Sequence, residues 1–116
     1  MSLSASLHFD AVLDMLGDDR SVVASLLTKF SAELEADISA SERALIERDA
    51  ETLRKIAHRV KGTSANLQAM MLSASARELE QACVEASDAV WAVKQAVLAE
   101  QAQRVRDDIA TWIAHS

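Results

Sequence analysis

Proline and tyrosine are missing from this chain of 116 residues, and glycine occurs only twice, as Gly17 and Gly62. So few turn residues leave little room for the tight hairpins of a β-rich fold. Two isolated glycines also exclude two nucleotide-binding routes. A dinucleotide fingerprint needs three clustered glycines, and a phosphate loop needs two beside a Lys-Ser/Thr pair. Cysteine is limited to Cys83, so no internal disulfide can form, which suits a reducing compartment. No apolar run approaches the ~20 residues that span a bilayer. The first residues, Met-Ser-Leu-Ser-Ala-Ser, lack the basic start and apolar stretch of a secretory signal. Positive charge is in deficit: 12 Lys and Arg against 18 Asp and Glu give a net charge of −6. That sign disfavours nucleic acid, whose binding needs a basic footprint, and anionic membrane surfaces. The expectation is a cytoplasmic, monomeric protein that binds neither nucleic acid nor membrane.

What the chain does have is 22 alanines, with many Leu, Glu, Arg and Gln. This composition reads as nearly all helix, and the length as one domain over residues 1–116. A short first helix is expected from about Leu7 to Leu16, stopped by Gly17 at the position after the helix end. Asp18 and Asp19 offer caps for a second helix, about Arg20 to Arg48. Its residues Val23, Leu26, Leu27, Phe30, Leu34, Ile38 and Leu45 form one apolar stripe. Asp49 is placed to cap a third helix, about Ala50 to Gln68. A fourth runs from about Met71 to Ala86, with Leu72, Ala76, Leu79 and Cys83 on one side. Ser87 or Asp88 caps the last, which carries Val90, Val97, Leu98, Val105, Ile109, Trp112 and Ile113. Amphipathic helices joined by very short connections pack antiparallel. The expected fold is all-α: an antiparallel up-and-down four-helix bundle with a short N-terminal helix capping one end. Met70 and Met71 are expected to fill the bundle near a helix junction, and Cys83 to be a small core residue. His8 and His115 read as surface residues, and no set of side chains has zinc spacing.

The third helix breaks the pattern. Its apolar residues Leu53, Ile56, Ala57, Val60 and Leu67 share one direction on a helical wheel. At about 100° per residue, His58 falls roughly 150° from that direction and should face water. Gly62 lies one turn further on the same face, with Ala65 beyond it and Arg54 and Lys61 at the edge. A mid-helix glycine costs about 1 kcal/mol relative to alanine, and this chain uses alanine freely elsewhere. A glycine beside an exposed histidine removes bulk where something must approach the ring. Arg54, Lys55, Arg59 and Lys61 place four of the twelve basic residues within eight positions.

Each element alone has an ordinary explanation: a surface histidine, a kink or close packing at glycine, a solvated basic face. Together they point to phosphoryl transfer through histidine. A neutral imidazole nitrogen is a usable nucleophile near pH 7, since an ordinary imidazole titrates near 6.5. Lys61, three residues from His58, can neutralise phosphoryl oxygens, and such transfer depends mainly on positioning and charge stabilisation.

The run Ala57-His58-Arg59-Val60-Lys61-Gly62-Thr63-Ser64-Ala65-Asn66-Leu67 resembles the signature of histidine-containing phosphotransfer (HPt) domains: His-x-x-Lys-Gly, small residues, and often Ala-Asn-Leu. The resemblance extends over essentially the whole chain. It implies that His58 is the phosphoacceptor, Lys61 its charge-stabilising neighbour and Gly62 the point of access. It also implies a polar partner for the imidazole on the next helix, for which Glu80 is the candidate, although the family often has Gln there. Arg54, Arg59 and Ala65 complete the candidate binding face. Such domains exchange phosphoryl groups with receiver aspartates of response regulators or a hybrid sensor histidine kinase, and have no kinase or phosphatase activity of their own. The chain itself then needs no cofactor, since the receiver brings the magnesium. Gln68 departs from the pattern, because many members have Gly there. Two other readings are a non-catalytic helical adaptor and a phosphoacceptor module excised from a larger histidine kinase. No kinase domain accompanies the chain, which favours a stand-alone carrier.

Overall fold

The computed structural model describes residues 7–115. The opening Met-Ser-Leu-Ser-Ala-Ser stretch lies outside them. Five helices follow one another: α1 (Phe9–Met15), α2 (Arg20–Ile46), α3 (Ala50–Asn66), α4 (Met70–Glu85) and α5 (Asp88–Ala114). The last four close a ring in which α2 packs on α3, α3 on α4, α4 on α5, and α5 back on α2. The expected up-and-down bundle is what forms. Its long dimension of 43 Å matches the ~40 Å of a 27-residue helix. α1 packs on α2 and covers one end. There the Phe9 ring stacks on Trp112 at 5.4 Å, and the Arg20 guanidinium lies 4.5 Å from the Trp112 ring.

The helix ends follow from local chemistry. Asp19 accepts from the backbone N–H groups of Ser21 and Val22 at the start of α2, and Asp49 accepts from that of Thr52 at the start of α3. These satisfy donors that the first helical turn leaves without partners. Ser87 takes the capping position of α5 but makes no capping bond with its side chain. Asp88 lies inside the first turn and pairs with Arg48 at 3.3 Å. Gly17 stands after α1 with φ +69°. The N–H groups of Gly17 and Asp18 return to the carbonyls of Asp14 and Leu13, the paired closure of a left-handed helix stop. The same closure recurs after α2 at Arg48 (φ +55°) and after α3 at Gln68 (φ +64°), without glycine. α4 ends differently. The Trp91 indole N–H donates to the carbonyls of Ala82 and Ala86, at 2.9 and 3.1 Å.

The core is mostly aliphatic and includes Val23, Leu27, Leu34, Leu53, Val60, Leu72, Leu79, Leu98, Val105 and Ile109, with Phe30 among them. Three expectations need correction. Met70 and Met71 are more than half exposed, because Leu67 and Ala69 fill the junction instead. Val90 and Val97 are exposed as well. The seam of α5 runs through Trp91, Gln95, Leu98, Ala102, Val105 and Ile109, and each of those valines precedes a seam position by one residue, about 100° off it. Cys83 is only half-buried at the margin of the core, where burial pushes its thiol pKa up. A feature that hydrophobic patterning misses is a buried polar pair. Gln95 donates to the Ser41 hydroxyl at 3.2 Å, and Ser41 donates to the Ile38 carbonyl at 2.7 Å. This pair joins α2 to α5 inside the bundle.

Candidate functional site

α3 turns Leu53, Ile56, Ala57 and Val60 inward, and this fixes what it shows to solvent. The His58 side chain is 64% exposed. Glu80, on α4, reaches it: the carboxylate oxygen Oε2 stands 2.7 Å from His58 Nδ1. Lys61, one turn along from His58, donates from Nζ to the other oxygen of the same carboxylate, also at 2.7 Å. Glu80 therefore bridges two residues of α3, His58 and Lys61. Ser73 of α4 donates to the Lys61 carbonyl at 2.9 Å, a second tie between the same helices.

Electrostatics assigns the proton. The hydrogen bond from Lys61, and after it that from His58, holds Glu80 below the usual carboxylate range, while partial burial pulls the other way. Glu80 is thus ionised at neutral pH and can only accept. The proton in the shared hydrogen bond is therefore on His58 Nδ1, and in the neutral ring this leaves the lone pair on Nε2. The Lys61 ammonium, which the sequence reading sets beside the phosphoryl oxygens, is bonded here to Glu80.

Gly62 is exposed in the middle of a regular helix. A Cβ built there meets no atom within 4 Å. Close helix packing and a left-handed backbone are therefore both excluded as reasons for glycine at this position. Ala65 is half-buried on the same side. Two other basic residues of the predicted face, Arg54 and Arg59, are engaged within the fold. Arg54 binds Glu51 through two hydrogen bonds of 3.0 and 2.9 Å, and Arg59 pairs with Asp37 of α2. Neither is bonded to His58. Asp37 gave no signal in the sequence; only packing of α2 against α3 brings it to Arg59. Among the described residues no group of three His, Cys, Asp or Glu side chains could hold a metal ion, and no helix is long and apolar enough to cross a membrane.

With this geometry in view, the family model of the Hpt domain matches residues 25–108, most of the chain and nearly all of the bundle. The chain belongs to the Hpt domain family. Hpt domains are helical bundles that perform histidine phosphotransfer in phosphorelays, passing phosphoryl groups to and from receiver domains of two-component systems. In this Hpt domain the matched segment begins inside α2 and ends inside α5, so it includes His58, Lys61, Gly62 and Glu80 and leaves out α1. No curated protein and no solved structure gives a significant match.

Proposed function

We propose that this protein is a phosphorelay intermediate whose phosphoacceptor is Nε2 of His58. A phosphorylated receiver docks over the exposed face of α3. The Nε2 lone pair attacks the phosphorus of the aspartyl phosphate in line; the N–P bond forms as the P–O bond to the aspartate breaks, and the carboxylate leaves. The ring enters this step neutral and leaves it cationic, because it keeps its Nδ1 proton. Glu80, 2.7 Å from Nδ1, stabilises that developing charge. In the second half of the relay an aspartate oxygen of another receiver attacks phosphorus, the N–P bond breaks, and the ring returns to its neutral Nδ1–H form.

Lys61 supplies the cation beside the phosphoryl group, and Gly62 lets the receiver approach. Magnesium belongs to the receiver in this reading, which assigns the chain no cofactor of its own. The protein acts as a cytoplasmic monomer between a hybrid sensor histidine kinase and response-regulator receivers.

The observation that carries the proposal is an exposed histidine whose inner nitrogen is held by an ionised carboxylate, with open space over the glycine one turn away. The test mixes the protein with a phosphorylated receiver and follows acid-labile phosphate. Wild type accepts label and His58→Gln does not; equal labelling of the two overturns the assignment.

A further inference from the structure

The basic residues that the sequence gathers around His58 are largely occupied. Lys61 is bonded to Glu80, Arg59 to Asp37 and Arg54 to Glu51, and Lys55 lies 3.9 Å from Glu51. Among the described residues only Lys29, Arg43 and Arg77 have no ion pair or ring contact. Arg77 is the one that shares a wall with the site. It lines a groove of about 390 Å³ between α3 and α4 together with Lys61, Met70, Ser73, Glu78 and Gln81. Glu78, the acidic residue of that groove, is paired with Lys94 of α5 at 2.9 Å, so the groove keeps a surplus of positive charge. Met70 stands 53% exposed at its edge; a flexible, polarisable side chain of this kind suits a contact surface.

We infer that Arg77 is a partner-selecting residue: the receiver docked on His58 rests on the α4 side of the site, with one of its rim carboxylates on the Arg77 guanidinium and its apolar surface on Met70. This rests on the reading of His58 given above. The occupant is set by charge. A receiver that holds magnesium beside its reacting aspartate uses one or two carboxylates to do so, and so presents a negative face. An unpaired guanidinium has the planar fork that meets a carboxylate through two hydrogen bonds. Because Arg77 has no ion-pair partner among the described residues, its charge is available to the incoming protein without first breaking a bond. Lys29 lies in a separate groove between α2 and α3 with Leu26, Phe30 and Asn66, where Lys61 and Glu80 do not reach.

The experiment uses the receiver that exchanges phosphate fastest in a panel from the source organism. Each variant is also labelled with phosphoramidate, a small donor that phosphorylates imidazoles without a docked protein. Arg77→Glu is expected to slow receiver-dependent transfer about tenfold at low salt, with the gap narrowing as salt rises. Arg77→Lys keeps most of the rate, and labelling by phosphoramidate is unchanged in both. Arg104→Glu makes the same charge change on α5, which does not pack on α3, and leaves transfer at the wild-type rate. The inference is overturned if Arg77→Glu transfers normally, if Arg104→Glu slows transfer equally, or if Lys29→Glu has the larger effect and places docking on the α2 side. Failure of phosphoramidate to label wild-type His58 instead overturns the phosphoacceptor assignment beneath it.

Discussion

The two glycines of this chain do different work. Gly17 ends α1 with φ +69° and completes a left-handed stop with two return hydrogen bonds. A side chain there is strained by the backbone itself. Gly62 sits in regular helix with empty space where a side chain would go. One glycine eases a backbone conformation that the fold adopts. The other costs the fold about 1 kcal/mol of helix propensity and returns nothing to it. A residue that folding disfavours and packing does not need points to something outside the chain, which the proposed function makes the surface of an approaching receiver.

The largest effect that tests this contrast comes from Gly62→Gln. It should slow transfer from a receiver on the order of a hundredfold, since small misplacements of reacting groups cost that much, while raising stability by roughly 0.5–1 kcal/mol in urea unfolding. A variant that transfers normally removes the distinction between the two glycines. Glu80→Leu should slow transfer roughly ten- to hundredfold, by analogy with the loss of the outer partner of a metal-ligating histidine. Glu80→Gln should recover part of that rate, because its amide oxygen still accepts from Nδ1. Equal rates for wild type and both variants would show that Glu80 does not prepare the ring.

Gly17→Ala should do the reverse of Gly62→Gln: about 1 kcal/mol of stability lost with the transfer rate unchanged. Gln68→Gly, at φ +64°, should gain up to about 1 kcal/mol for the same backbone reason. This places the departure from the family pattern at a helix stop. The smallest effect is electrostatic. Because Glu80 titrates below its ordinary 4.5 in the folded protein, its contribution to stability is complete above that value and is lost as pH falls through the lower folded one. Carboxyl NMR titration should give a midpoint under 4.5 that rises in Lys61→Met. An unmoved midpoint would show that Lys61 is not the main cause.

Much of this was legible in the sequence because it is local. Apolar spacing, Asp19, Asp49 and Gly17 mark the helices and their ends, and the wheel position of His58 marks the exposed face. What was not legible depends on contacts between helices. The Gln95–Ser41 pair looks polar in a linear sequence and becomes core only when α2 meets α5. Val90 and Val97 are apolar enough for the seam yet miss it by one residue. Within the site, the sequence supplied His58, Lys61 and Gly62 as a motif, and the family resemblance supplied Glu80. It could not show that Glu80 holds Lys61 as well as His58, nor that Arg59 is engaged by Asp37. Those facts depend on rotamers and on how adjacent helices pack.

The most direct measurement is nitrogen-15 and phosphorus-31 NMR of the protein after transfer from a phosphorylated receiver, with the histidines labelled. The account predicts Nδ1–H for His58 before transfer, and afterwards phosphorus coupled to Nε2 of that residue. Phosphorus on Nδ1, or on any residue other than His58, would contradict it.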